Sequence, residues 1–238
     1  FSFDNISDVL GGRGIHAADI DNDGDVDIVG TSYQDNKLSW YENDGNTNPS
    51  WIKRDIATGT DNWPSDIHIA DLDSDGDLDI ALSSMYDDKI SWYENDGNTN
   101  PSWNASSINT NADAAQDISI GDIDGDGDLD IVSASYNDDT IAWYENDGNA
   151  NPSWTASDIA TNADGAENVY IADMDGDGDL DIVSASNIDD TIAWYENDGN
   201  ANPSWTASDI ATNADGAEKV YVADMDGDGD LDIVSASY

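Results

Sequence analysis

Cysteine is absent from this chain, histidine occurs twice, and only 6 of the 238 residues are basic. The first absence removes disulfides and thiolate metal sites, and two histidines are too few to favour zinc. The shortage of lysine and arginine, set against 53 acidic residues and a net charge of −47, argues against nucleic acid and anionic membrane surfaces as partners. No apolar run approaches the length that crosses a bilayer, so membrane insertion is not expected. No long amphipathic helix is legible either. The chain starts at Phe1 without methionine and shows no signal-like segment, and it therefore reads as a processed or excised piece.

Low hydrophobicity with high net charge is the usual mark of disorder, but 9 Trp and 10 Tyr recurring at regular spacing argue for a packed fold. The acids are clustered as well. DIDNDGDVD begins at Asp19, DLDSDGDLD at Asp71, DIDGDGDLD at Asp122, and DMDGDGDLD at both Asp173 and Asp224. Carboxylates at every second position around a glycine turn are how a short loop wraps oxygen ligands around a hard cation, here expected to be calcium. The candidate metal residues are Asp19, Asp21, Asp23, Asp25 and Asp27 in the first run, and Asp71, Asp73, Asp75, Asp77 and Asp79 in the second. They continue with Asp122, Asp124, Asp126, Asp128 and Asp130, then Asp173, Asp175, Asp177, Asp179 and Asp181, and finally Asp224, Asp226, Asp228, Asp230 and Asp232.

In the first run Asp19, Asp21, Asp23 and Asp27 are expected to give side-chain oxygens and Asp25 its backbone carbonyl, with Gly24 making the turn. Gly76, Gly127, Gly178 and Gly229 repeat that turn. About five structural calcium ions would take the net charge from −47 to about −37, so a large acidic excess remains. A halophilic or marine habitat would favour such a surface too. The plain alternative is that the aspartates only make polar turns. An EF-hand would need a glutamate at loop position 12, where Gly30, Leu82, Ser133, Ser184 and Ser235 stand, and flanking helices. Dockerin-type modules fail for lack of a helix, and RTX-type β-helices for lack of nine-residue glycine repeats. Weak calcium loops work where calcium is plentiful, which places the chain outside the cell or at its surface.

The first aspartates stand 52, 51, 51 and 51 residues apart, and the WYENDGN and NPSW segments keep the same step. A repeat near 50 residues with four strand-like pieces has the size of one propeller blade. In the fourth repeat, residues 168–172, 180–186, 191–196 and 206–212 read as four antiparallel strands bounded by Asp, Asn and Gly turns. The fold expected is all-β: a β-propeller-like array of about five four-stranded antiparallel blades, each with a calcium loop between its first and second strands. The repeats run approximately over residues 1–51, 52–103, 104–154, 155–205 and 206–238, the last incomplete. Ser2-Phe3 aligns with a fourth strand and could complete that last blade, whose third strand is then missing. An unfilled edge invites strand addition.

With the loop and WYENDGN in place, the chain resembles the FG-GAP-like or VCBS repeats, related to the propeller of integrin α subunits, over essentially its whole length. The resemblance implies blades that carry a DxDxDGxxD calcium loop between the first two strands, as DMDGDGDLD lies here between VYIA and DIVSAS. Asn-Pro-Ser-Trp stands where the family often has Gly and Phe, so integrin-like ligand recognition is not carried over.

Catalysis is not expected, because the carboxylates are committed as ligands and recur equivalently in every repeat. His16 and His68 break that equivalence, at an inner-strand position held elsewhere by Ser119, Tyr170 and Tyr221, where they either line a central channel or simply pack. The regular tryptophans alternate with apolar residues on one face, as Leu38 with Trp40 and Ile192 with Trp194, which is how blades pack; they are less expected to stack on sugars. Trp63 is expected to be the exposed one. Asn5 and Asn104 match the N-glycosylation acceptor pattern. The function expected is adhesion or protein and glycan binding with calcium in a structural role. Two alternatives stand: a fibre or surface-assembly subunit joined to copies of itself by strand complementation, and an accessory domain of a larger secreted enzyme.

Overall fold

Segments such as TIAWYEN and DIVSAS are too short and too rich in β-branched and aromatic residues for helices, and the Asp-Asn-Gly clusters between them turn the chain back on itself. The computed structural model describes residues 11–59 and 61–238; the Ser2-Phe3 segment and Asn5 lie outside them. The described residues form four four-stranded antiparallel sheets, each in sequence order, and one two-stranded sheet. The first sheet contains β1 (Gly12–Ala18), β2 (Asp27–Ser32), β3 (Lys37–Asn43) and β4 (Trp51–Thr58). The second contains β5 (Pro64–Ala70), β6 (Asp79–Ser84), β7 (Lys89–Asn95) and β8 (Trp103–Asn109). The third contains β9 (Ala115–Gly121), β10 (Asp130–Ser135), β11 (Thr140–Asn146) and β12 (Trp154–Ala160). The fourth contains β13 (Ala166–Ala172), β14 (Asp181–Ser186), β15 (Thr191–Asn197) and β16 (Trp205–Ala211). After the fourth blade the described residues form only β17 (Lys219–Ala223) and β18 (Asp232–Ala236), half of the fifth blade that was expected.

Each sheet stacks face to face on the next, and the cores lie between blades. Trp143 with Val132 and Ile141 packs on Val169, Ile182 and Tyr195 of the following blade. Trp92 packs in the same way towards Ile118, Ile131 and Tyr144, and Trp40 towards Ile67, Ile80 and Tyr93. Trp40, Trp92 and Trp143 are all at most 2% exposed, in keeping with a core role. Because adjacent residues of a strand point to opposite faces, Trp143 reaches one neighbouring blade and Tyr144 the other. The second strands β6, β10 and β14 are therefore buried along their whole length, whereas β2 and β18, at the two ends of the array, are not.

The first strands β1, β5, β9, β13 and β17 pack in succession about a common axis. The aspartate runs fill the connections from first to second strand at one end of this arc. The connections from second to third strand, and from each blade to the next, lie at the opposite end.

Candidate metal loops and axial face

Each aspartate run is folded by its own carboxylates before any ion is considered. Asp19 accepts hydrogen bonds from the backbone N–H of Asp23 at 3.1 Å and of Gly24 at 2.9 Å, and Asp23 Oδ1 accepts from Asp25 N–H at 2.9 Å. Gly24 sits at φ 97°, and Gly76, Gly127, Gly178 and Gly229 lie between 97° and 103°, a region that side-chain-bearing residues rarely enter. The fourth position is also left-handed. Asn22 and Ser74 hold it at φ 57° and 60°, while Gly125, Gly176 and Gly227 take it over in the later runs.

The turn brings the first, third and fifth carboxylates together as Asp19, Asp21 and Asp23, as Asp122, Asp124 and Asp126, and as Asp173, Asp175 and Asp177. In the other two runs the cluster is Asp71, Asp73 and Asp79, and Asp224, Asp226 and Asp232. In every cluster one oxygen per residue lies within 4.8 Å of the others. Asp75 and Asp228 hold the loop from within, by accepting from Asp77 and Asp230 N–H.

The seventh-position side chains are not gathered into these clusters. The carboxylates of Asp25, Asp77, Asp128 and Asp179 lie instead against Gly45, Gly97, Gly148 and Gly199, so close that a Cβ there would collide with them. The ninth-position residues Asp27, Asp79, Asp130 and Asp181 are each 1% exposed. Each accepts from the second residue of its own run and from the third-strand asparagine, as Asp130 does from Ile123 N–H at 3.1 Å and Asn146 N–H at 2.8 Å. Burial pushes Asp79 and Asp130 up to about 7. Burial first, and then the charges of Asp23 and Asp27, also lifts Asp21.

The residues present fit a hard cation. They are oxygen donors only, they converge, and Asp21 Oδ1 and Asp122 Oδ1 are buried without a hydrogen-bond partner. The Asp-Asp and Asn-Asp-Gly acids outside the runs make the turns expected of them, through partners that the sequence did not disclose. Asp44, Asp96, Asp147 and Asp198 each cap the loop between third and fourth strands, as Asp147 Oδ1 does by accepting from Ser153 N–H at 3.0 Å. Asp88, Asp139 and Asp190 tie a second-to-third-strand turn to the connection into the next blade.

Along the axis the inner strands present unlike residues, beginning three positions before each aspartate run. The rings of His16 and His68 lie 5.6 Å apart and those of Tyr170 and Tyr221 5.3 Å apart, so at this level the side chains of neighbouring inner strands meet. Two residues earlier in each strand stand Gly14, Asp66, Asp117, Asn168 and Lys219. Asp117, 3% exposed, accepts from Lys219 Nζ at 2.7 Å, Asn168 Nδ2 at 2.5 Å and Val169 N–H at 3.1 Å. Burial lifts Asp117; burial would lower Lys219, and the Asp117 carboxylate beside it more than reverses this, so three donors converge on a charged pair. Burial, and then the charge of Asp117, pushes Asp66 up to about 7, while burial and the charges of His16 and Lys219 push His68 down to about 4. The 3.8 Å contact of His68 with Asp66 is therefore not an ion pair at neutral pH.

Sequence reasoning singled out the histidines but missed the level next to them. The signal was available: residues 140–186 and 191–237 differ only at Asn168/Lys219 and Ile171/Val222. Trp63 departs from expectation. It is half-buried, with Tyr33 at 4.2 Å on one side and Tyr86 at 4.7 Å on the other, so its ring faces are already taken. Asn104 is exposed, with Nδ2 donating to Glu94 at 2.8 Å.

A family profile described as FG-GAP-like repeat matches at residues 19–82, 71–133, 122–184 and 173–235. No curated protein sequence matches the chain significantly. Among solved structures, an Agrocybe aegerita lectin that recognises non-reducing terminal N-acetylglucosamine is similar, with TM-score 0.63, 20% identity, and 95% of this chain and 60% of the lectin covered. The V. cholerae biofilm matrix protein Bap1 is similar with TM-score 0.57 and 19% identity, over 88% of this chain and 30% of that one. BBS1N, in its complex with ARL6DN, is similar with TM-score 0.56 and 13% identity, over 91% and 62%. This chain thus spans less than two thirds of each, and at these identities the likeness is one of propeller-like fold.

Proposed function

We propose, for a chain that belongs to the FG-GAP-like repeat family, that it is a calcium-dependent binding module, acting outside the cell or at its surface on glycan or protein ligands and without enzymatic activity. The observation that carries this reading is the set of five convergent carboxylate clusters, one per first hairpin. Three carboxylates within 4.8 Å of one another repel, and burial at Asp21 and Asp73 sharpens the repulsion.

Calcium, when bound, supplies the counter-charge. The residues that would hold it are the clustered aspartates, with Asp25 and its counterparts offering backbone carbonyls. The protein's own part is to close the loop around those oxygens and to tie it to the third strand through the ninth aspartate. The ligand-binding reading is supported by fold likeness to a glycan-recognising lectin and to a biofilm matrix protein. It is tested on a glycan array and by pull-down with calcium and then with chelator. Saturable binding that chelator abolishes is expected; no saturable binding by calcium-loaded protein to either ligand class would overturn it.

A second reading, assembly through the ends of the array, has its own support. On the outer face of the first blade Ile15 is 71% exposed, and a groove of about 360 Å³ runs between Ile15, Ile28, Thr31 and Tyr41. At the other end β18 is largely exposed. Sedimentation with calcium present distinguishes the two, since assembly requires concentration-dependent growth beyond the monomer.

A further inference from the structure

Five inner strands converge on a cavity of about 230 Å³ at the axis, at the end remote from the aspartate runs. Its walls include Arg13, Ser65, Asp66, Gln116, Glu167 and Lys219, and the remaining lining residues are Gly12 and Asp117. No lining residue has an apolar side chain.

Three features mark this cavity as a built site. Ser65, a wall residue, is 4% exposed, and its Oγ is buried without a hydrogen-bond partner in the chain. A rotation about χ1 would bring that unpaired hydroxyl to a ligand in the cavity. Asp117 is already saturated by Lys219, Asn168 and Val169, which makes it the anchor of the cavity rather than a free acceptor. And the one non-conservative difference between the two nearly identical stretches, Asn168 against Lys219, falls here.

The charges then select the ligand. Asp66, lifted to about 7, is only partly ionised in the empty cavity at neutral pH, but an ammonium beside it would draw its proton off; with Asp66, Asp117 and Glu167 all ionised against Arg13 and Lys219, the walls carry one excess negative charge inside a protein of net charge −47. The protein's field and the excess carboxylate together favour a cation over an anion. The volume falls below the roughly 300 Å³ at which drug-sized pockets begin, so a single ring fits. The polar walls offer no lane for an aliphatic stem such as that of lysine. They do offer hydroxyl, amide and guanidinium partners for ring hydroxyls.

We propose that the axial cavity binds a hexosamine bearing a free amino group, its ammonium held between Asp66 and Glu167 and its hydroxyls meeting Ser65, Gln116 and Arg13. The proposal rests on the reading of the chain as a binding module, but uses none of the metal-loop residues. It also differs from recognition of an N-acetylated sugar, in which that positive charge is absent.

Isothermal titration of the calcium-loaded chain with glucosamine, glucose, N-acetylglucosamine and Nα-acetyl-lysine amide tests it, each titration repeated on Asp66→Asn, Glu167→Gln and Ser65→Ala. Glucosamine is expected to bind about tenfold or more tighter than the other three, and each carboxylate substitution to remove about tenfold of that affinity. Equal binding of glucose would show that charge does not select. Equal binding of the lysine amide would show a general amine site on an acidic surface. Unchanged affinity in all three variants would place the sugar elsewhere, and absence of glucosamine binding overturns the proposal outright. Calcium-dependent melting of the same variants reports folding, and its retention with loss of glucosamine binding separates this site from the binding-module reading as a whole.

Discussion

Nδ2 of Asn146 donates to the carbonyl of Leu72 at 2.8 Å, joining the end of β11 to the aspartate run of the preceding blade, 74 residues earlier. The same amide group donates to Leu129 of its own blade at 3.1 Å. Asn95 reaches Ile20 and Asn197 reaches Ile123 in the same way, so the third strands of the second, third and fourth blades each clasp the aspartate run of the preceding blade. Asn43, in the first blade, donates only to its own Val26. Asn146→Ala strips buried carbonyls of a donor and is expected to cost about 1–3 kcal/mol in urea denaturation. Asn43→Ala, at an exposed bond within one blade, should cost less. Equal costs would show that the bond across blades contributes nothing.

If calcium occupies the runs, Asp73→Asn should change the sign of its effect with the ion. Burial first, then the charge of Asp75, lifts Asp73, so a neutral side chain relieves repulsion in chelator. With saturating calcium the same substitution removes a ligand and weakens the site. Melting is expected to show a gain of about 1 kcal/mol without the ion and a loss of at least that size with it. A loss under both conditions would sink the structural-calcium reading.

The repeat, the four strands and the loop between the first two were legible because each rests on local chemistry. Aspartates alternate about a glycine that must adopt positive φ, and DIVSAS is a short β-branched stretch that reads as a strand, fully buried in β10 and β14 where blades stack on both faces and largely exposed in β18. The burial of Trp40, Trp92 and Trp143 followed from alternation along their strands. What stayed hidden depends on residues far apart in the chain. Nothing near Trp63 announces that Tyr33 and Tyr86 enclose it, because those rings arrive from two other turns. The pairing of Lys219 with Asp117, 102 residues apart, is invisible until the inner strands share an axis. The seventh aspartates were expected to give backbone carbonyls and the ninth side-chain oxygens, and the runs alone do not say where the seventh side chains go. The fold sets the seventh side chain against a glycine of the loop between third and fourth strands, and holds the ninth by backbone N–H groups, with Asp79 and Asp232 also joining their clusters.

Gly148 gives a direct probe of that separation. Its φ is 65°, and a Cβ would strike the Asp128 carboxylate. Gly148→Ala therefore combines backbone strain with displacement of a loop residue, and should cost about 1–3 kcal/mol. Gly127→Ala tests the backbone alone, since at φ 98° its Cβ would meet nothing within 4 Å. Calcium titration of both should show that Gly148→Ala lowers affinity in the third run beyond what its loss of stability explains. Identical calcium affinity for Gly148→Ala and the parent would show that the position of Asp128 is irrelevant to the ion.

The axial carboxylates set an opposite pH dependence from that of an ordinary salt-bridged acid. Asp66 is faced by Arg13 from β1, Asp117 from β9, Glu167 from β13 and Lys219 from β17, with His68 on its own strand. Its carboxyl goes from 3.8 when unfolded to about 7 in the fold, so between those values the folded protein holds the additional proton. The stability this contributes is complete below about 4 and is lost as pH rises through about 7, after which it changes no further. His68, lowered from 6.5 to about 4, works the other way, and its contribution is lost as pH falls below 6.5. Glu167, raised first by burial, adds to the trend of Asp66. Asp66→Asn removes the first of these and leaves the others. In saturating calcium, the stability of the variant relative to the parent is expected to rise between pH 5.5 and pH 8 by roughly 1–2 kcal/mol. Parallel curves for the two proteins over that range would show that Asp66 does not hold its proton in the fold.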